Sequence, residues 1–338
     1  MKLVEPLAIL VGAAAHDAQR LGFARPLMGG PAAFTLARLH DGRNPPILVR
    51  AADIPPPWYE ALDRVTAAPP LANLPPGPLV MGILNATPDS FSDAGCHLDP
   101  ADGIAAGQRF RADGAVILDI GGESTRPGAT PPPVAEEVRR VLPIVEGLAG
   151  SGAILSIDTR RASVMRAALD AGAHMINDVS GLAFDPDAIP LLAARDCAVA
   201  LMHSRGTPAT MQSLAAYDDV AVETVRELAG RIEAATTGGI ARDRLLIDPG
   251  IGFAKTAAQN IELLARLPIL ANLGCRILLG VSRKSFIGRL AAEPSPERRL
   301  PGSLASTAAA LCLPHLVLRV HDPRATRQFI TVTQALAT

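Results

Sequence analysis

From residue 79 onward, short aliphatic runs of strand length recur eight times along the chain. They read LVMGIL (79–84), AVILDI (115–120), AILSI (153–157), AHMIN (173–177), CAVALM (197–202), RLLID (244–248), RILLGV (276–281) and LVLRV (316–320). Between most of them lie segments whose apolar residues are spaced for helices, such as 133–149 and 161–172. Gly172 stands where the second of these helices should stop, because glycine takes a helix-ending left-handed conformation at little cost. Eight strand–helix units close into a barrel more readily than they make an open doubly wound sheet. No G-x-G-x-x-G follows the first strand, so the dinucleotide-binding alternative lacks its mark. The pattern predicts an α/β protein, a (β/α)8 TIM barrel over residues 76–338 with a small N-terminal α/β extension over residues 1–75.

The extension carries weaker signals. LAILVG (7–12) reads as a strand, PAAFTLARL (31–39) as a helix and PPILVRA (45–51) as a second strand. Pro55, Pro56 and Pro57 interrupt this pattern, and PPLANLPPGP (69–78) is a connector that no continuous helix can follow. The boundary is therefore expected within 55–78. No cluster of reactive residues stands in the first 75, which favours a packing role, covering the barrel's bottom or an exposed helix face. A partner-binding or regulatory module is the alternative.

Composition supports a large buried core, with 49% apolar and 19% charged residues. Aromatic residues are only 3%, so Ala, Val, Leu and Ile carry the burial, as suits a sheet covered by close-lying helices. A net charge of −1 gives no general attraction to nucleic acid or to an anionic membrane. Cys96, Cys197, Cys275 and Cys312 form no C-x-x-C pair and no zinc spacing. Cys197 and Cys275 begin strand-like runs and are expected as buried thiols. No apolar stretch approaches the roughly 18–20 residues that span a bilayer. Glu5 and Pro6 sit where a signal peptide would need a basic lead, so a cytoplasmic protein is expected.

The strand exits add chemistry to this frame. They carry Asn85, Asp119 with Glu123, Asp158, Asn177, His203, Asp248, Lys284 and His321. In a barrel these positions share one rim, the face where such enzymes keep their active sites. One polar residue after one strand is ordinary loop chemistry; a polar residue after all eight points to a ligand. Two exits lead into loops rich in Gly, Ser and Thr, GILNATPDSFSDAG (82–95) and DIGGESTRPGA (119–129). Such backbone can approach an anion closely, and Arg126 adds a fork of donors. Composition alone fits two mobile surface loops equally well.

Read in order, ILNATPDSFSDAG, DIGGESTRPGA, SIDT, INDVSG, LMH, IDPGIGFAKT, SRKSFIG and RVHD closely resemble the dihydropteroate synthase family. The resemblance runs from about residue 79 to 323 and includes a motif after every strand. It implies a barrel enzyme in which p-aminobenzoate displaces pyrophosphate from 6-hydroxymethyl-7,8-dihydropterin pyrophosphate, giving 7,8-dihydropteroate. It also implies Mg2+ with the leaving pyrophosphate, a homodimer and a target for sulfonamides, with no nucleic acid or membrane partner.

The resemblance assigns Asp158, Asn177, Asp248, Lys284 and Met202 to the pterin. A carboxylate facing the ring's amino and N–H edge makes paired, charge-assisted hydrogen bonds. Spacing alone also fits Asp158 as the N-cap of a helix over 159–168. Ser285 is implied at the p-aminobenzoate carboxylate, beside a helix N-terminus that favours an anion, with Thr125, Pro127 and Phe253 around the aryl ring. For Phe253, loop packing is an equal reading. Asn85, Thr125, Arg126, Arg319 and His321 match pyrophosphate positions, and Asn85 offers Mg2+ the neutral oxygen that hard cations take. Asp158, Lys284 and Arg126 are the expected catalytic residues, whereas His203 fits a structural rim residue as well as a ligand contact.

The implied mechanism is dissociative: pyrophosphate leaves, Asp158 stabilises the pterin cation, and loops 85–95 and 123–128 close to exclude water. Three alternatives remain open. A methyltetrahydrofolate–corrinoid methyltransferase also binds a pterin with acidic strand ends but would not need both STRPG and SRKS. A pterin-binding paralogue without turnover should have lost charged matches, and none is lost. A sugar-phosphate barrel enzyme would place its phosphate on late-strand Gly loops. Ala86, Ser204, Ala254 and Val281 depart from the family's frequent residues without removing a charge or donor.

Overall fold

The eight aliphatic runs are the staves of one closed parallel barrel in the computed structural model, which describes residues 1–86, 99–124, 130–207 and 210–337. Ahead of it the N-terminal residues make a four-stranded antiparallel sheet of β1 (Leu3–Leu10), β2 (Arg25–Pro26), β3 (Ala33–His40) and β4 (Ile47–Arg50), with helix α1 (Gly12–Arg20) after β1. Two expectations are corrected here. The segment 31–39, expected to be helical, contains most of strand β3, which pairs with β1 on one side and with β2 and β4 on the other. The first strand starts at Leu3 and runs through Pro6, opposite Ala37. Proline is tolerated there because β1 is an edge strand. Helix α2 (Tyr59–Thr66) follows the triple proline, inside the stretch read as a boundary.

The barrel strands are β5 (Leu79–Asn85), β6 (Ile117–Gly121), β7 (Ile154–Asp158), β8 (Met175–Asp178), β9 (Ala198–Met202), β10 (Leu245–Asp248), β11 (Arg276–Leu279) and β12 (Val317–Val320). Each pairs with the next, and β12 closes on β5. Around them run α3 (Pro100–Ala112), α4 (Val134–Leu148), α5 (Ala162–Asp170), α6 (Ala188–Ala193), α7 (Val220–Thr237), α8 (Ala257–Ala265), α9 (Ser285–Leu290), α10 (Leu300–Ala308) and α11 (Pro323–Leu336). Gly172 has φ +100° just after α5, as its place in the sequence required. Among the described residues no helix is long and apolar enough to cross a membrane. Cys197 and Cys275 are buried, and burial pushes the Cys275 thiol up to about 11.

Strand side chains alternate, so each stave sends every second residue inward. Leu79, Met81, Ile117, Met175, Ala198, Ala200, Leu246, Leu278 and Val317 pack together in the lower interior. Two residues further along several of these strands stand Asp119, Asn177, Asp248 and Arg319, so the filling changes from apolar to polar towards the exits. Below, the proline-rich connector closes the barrel. Ala72 and Leu74 join the lower apolar cluster, and the fully buried Arg276 donates to the carbonyls of Leu71, Pro75 and Gly77.

The N-terminal sheet packs against the barrel wall through apolar residues of β1, through Asn272, which bonds both backbone groups of Val4, and through one buried carboxylate. Glu5, with no exposed surface, accepts from His40 (2.8 Å), Arg38 (3.1 Å) and Arg266 (2.6 Å). Arg266 also donates to Asp219, the N-cap of α7. Burial pushes the Glu5 carboxyl up, but hydrogen bonds from His40 and Arg266 and the charges of Arg266 and Arg38 outweigh it and bring it down to about 2. A depressed carboxylate stabilises the fold fully above its unfolded value and loses that contribution as pH falls through the folded one. Glu5→Gln is therefore expected to cost about 3 kcal/mol at neutral pH, read from urea unfolding midpoints. The difference from the parent chain should shrink as pH is lowered from 5 towards 2.

Candidate active site

Register brings the exit residues to a common height. Asn85 pairs with Gly121, Gly121 with Asp158, and Asp158 with Asn177, which aligns three of the predicted residues across β5 to β8. On the next staves Met202 pairs with Asp248. The polar upper interior is then tied together across the barrel. Arg319, on β12, donates from Nε to Asp119 Oδ2 (2.6 Å) and from Nη2 to Asp158 Oδ2 (2.7 Å). Asp119 also accepts from Ser156 Oγ (2.7 Å) and Asn177 Nδ2 (3.1 Å).

One guanidinium thus faces two carboxylates, and burial acts on all three together with their mutual charges. Arg319 is held more firmly charged than an ordinary arginine: its two carboxylates outweigh the burial that opposes the charge. Burial pushes Asp158 up to about 7; Arg319 opposes the rise, while Asp119, Asp178 and Glu137 add to it. Asp158 does not cap a helix: α5 starts at Ala162, whose N–H donates to Asp185 (2.8 Å). Its carboxylate is reserved for the barrel's interior.

The facing wall comes from the exits of β10 and β11. Asp248 accepts from Gly250 N–H (2.7 Å), and burial pushes its carboxyl up against the opposing charge of Lys284. Burial pulls Lys284 down to about 8, with Asp248 opposing. The Lys284 ammonium lies over the Phe253 ring at 4.8 Å and donates to the Ile251 carbonyl. Ser285, the next residue, begins α9 and is exposed, at the edge of a cavity of about 330 Å³. His321 N–H donates to Ser282 Oγ (3.2 Å), and its Nδ1 lies 3.0 Å from the same oxygen.

Of the residues singled out in the sequence, Asn85, Asp158, Asn177, Met202, Asp248, Phe253, Lys284, Ser285, Arg319 and His321 stand at or just below the barrel's exit face. Thr125, Arg126 and Pro127 lie outside the described residues, as does most of loop 85–95. Asp119 stands among the strand exits without a task in the sequence, although its inward parity, two residues after Ile117, is readable there. Two ion-pair clusters leave no local mark in the sequence. Arg160 grips Glu123 through two donors (2.5 and 3.2 Å). His203 is 2% exposed, between Glu227 (3.1 Å) and Lys255 (2.8 Å), the structural placing that its position allowed.

A family model described as pterin binding enzyme matches residues 81–321. A dihydropteroate synthase of Synechocystis is 45% identical over 258 residues, which are 76% of this chain and 89% of that protein. The chain belongs to the dihydropteroate synthase family. A solved member from Xanthomonas albilineans with 4-aminobenzoic acid is 50% identical, with a TM-score of 0.72 over 77% of this chain and 93% of its own. Another structure from that organism, in complex with 7,8-dihydropteroate, is 46% identical with a TM-score of 0.69 over the same shares. In each case the matched share equals about the barrel's part of the chain.

Proposed function

We propose that the chain condenses 6-hydroxymethyl-7,8-dihydropterin pyrophosphate with p-aminobenzoate to 7,8-dihydropteroate and pyrophosphate. The observation that carries this reading is the acceptor set Asp158, Asn177 and Asp248 gathered inside the barrel's upper end, with Lys284 and Phe253 on the wall that holds Asp248. Those acceptors suit the amino and N–H edge of a pterin, and Met202 supplies apolar contact beside them. Lys284 and Phe253 form the wall for the aryl ring, with Ser285 at its carboxylate. Thr125, Arg126 and Pro127 keep, by family likeness, their places at the aryl ring and pyrophosphate.

The bond between the pterin methylene and oxygen breaks first, and its electron pair leaves with pyrophosphate. The cation left behind spreads over the dihydropterin, where the ionised Asp158 stabilises it. The arylamine lone pair then forms the new C–N bond, and the amine's proton passes to solvent. Arg319 keeps Asp119 and Asp158 in place, and the 21% of its side chain that remains open, with His321, is what pyrophosphate would meet. Among the described residues no three His, Cys, Asp or Glu side chains converge on a cation site. Asn85, at the exit of β5, offers the neutral side-chain oxygen that would hold a Mg2+ beside the pyrophosphate, and the ion would neutralise the leaving group. A homodimer and a cytoplasmic location are supported by the family likeness. Residues 1–75 act in this reading as cover for the barrel.

The test is pyrophosphate release from dihydropterin pyrophosphate and magnesium, with and without p-aminobenzoate. Release that requires the arylamine and is suppressed by a sulfonamide is expected. Failure to release pyrophosphate with both substrates present would sink the reading.

A further inference from the structure

The turn that presents Phe253 is built against its own preferences. Gly250 and Gly252 have φ +66° and +86°, and Ala254, which gains nothing from that region, has φ +48°. Its start is pressed onto the neighbouring stave: a Cβ on Gly250 would lie 1.9 Å from the His203 carbonyl oxygen. Something must hold such a turn closed, and the side chain folded inside it is Lys255.

Lys255 is 3% exposed, and three acceptors surround its Nζ: His203 Nδ1 at 2.8 Å, and the carbonyls of Gly250 and Phe253, both at 3.2 Å. The imidazole is fixed in turn. Burial pulls His203 down to about 4, so the ring is neutral. Its Nε2–H donates to Glu227, which leaves the Nδ1 lone pair for Lys255. Arg205 clamps Glu227 through Nε at 3.0 and 3.2 Å and lies 3.7 Å over the Tyr217 ring. A chain of bonds thus runs from α7 through the exit of β9 into the turn after β10.

We infer that Lys255 is a positioning residue for the arylamine: anchored by His203, it holds turn 250–254 closed so that the Phe253 ring faces Lys284 and walls the aryl subsite. The inference rests on the function proposed above, because it needs an aryl ring against Phe253. The pterin acceptors come from strand ends, which touch this turn only through the Gly250 N–H on Asp248, and Lys284 reaches it through the Ile251 carbonyl. Loss of the clamp therefore acts on one substrate more than on the other.

The experiment measures KM for each substrate separately in Lys255→Met, Lys255→Arg, Phe253→Ala and the double variant Lys255→Met/Phe253→Ala. Lys255→Met is expected to raise KM for p-aminobenzoate about tenfold, the scale of one lost apolar contact, and to move KM for dihydropterin pyrophosphate less than about twofold. Lys255→Arg, which keeps donors in the turn, should recover part of the loss. With Phe253 already Ala, removing the lysine should add little further, since both changes empty the same wall. Equal rises in both KM values, or full additivity with Phe253→Ala, would overturn the inference. If Lys255→Met does not fold, His203→Gln leaves the lysine its two carbonyls and should give the same split at smaller size; no split there also overturns it. The unaltered chain's arylamine-dependent release is the control: its absence counts against the proposed function, not against the clamp.

Discussion

Asp158→Asn is expected to lower kcat/KM for dihydropterin pyrophosphate by about 10²- to 10³-fold, the usual size for losing one preorganised electrostatic contact at a developing charge. The substitution keeps shape and removes the charge, so the loss reports on electrostatics and hydrogen bonding rather than on packing. It also replaces an acceptor by an amide whose N–H₂ can face the donors of Arg319 or of the pterin. With the Asp158 carboxyl pushed up to about 7, kcat/KM in the parent chain should fall as pH drops below 7, and that acid limb should vanish in the variant. Stability should move the other way. A carboxyl raised in the fold binds its proton more tightly there than in the unfolded chain, so the fold gains stability as pH falls from 7 towards 4. Above pH 7 the buried charge is a burden, and Asp158→Asn should melt no lower than the parent at pH 8. Unchanged turnover in Asp158→Asn, with turnover abolished in Asp248→Asn, would show that the cation is stabilised from the other wall.

Arg319→Met carries the largest expected loss of stability. The guanidinium is the cation that Asp119 and Asp158 share, and Asp119 has no exposed surface. Removing one partner of such a cluster leaves charge buried without compensation, at about 3–5 kcal/mol. Urea unfolding at pH 8 should show that loss, and activity should drop below detection because the pterin wall is no longer held. At pH 5 the deficit should be smaller, since a protonated Asp158 needs no counter-charge. Arg319→Lys should recover only part of the stability: one ammonium cannot reproduce two donors set in a rigid fork. An equal deficit at pH 5 and pH 8 would mean that packing, not charge, is what Arg319 contributes.

The sequence was most legible where one physical constraint repeats. All eight barrel strands were found, because a stave covered by helices outside and filled inside needs a short aliphatic run. β3 departs from the helix expected there for a related reason. Ala33, Leu36, Ala37, Leu39 and His40 fall at helical spacings, and the strand shows no clean alternation because it is central in its sheet and has buried residues on both faces. Pairing on both edges settled its conformation, and no local pattern records pairing. In the site, the motifs named the residues at each exit but not their partners. The motif places Arg319 among the groups for pyrophosphate, while the fold sets it against Asp119, 200 residues away in sequence.

By itself the sequence determined the number of staves, the face on which the polar groups gather and the family to which the motifs belong. These are local properties, carried by runs, parities and words that need no distant contact. Tertiary structure alone decided that one arginine serves two carboxylates, that burial makes Asp158 easier to protonate than an ordinary carboxyl, and that Lys255 is enclosed within a strained turn. The reason is that charge in a barrel is balanced across its interior: staves far apart along the chain become neighbours only when β12 closes on β5.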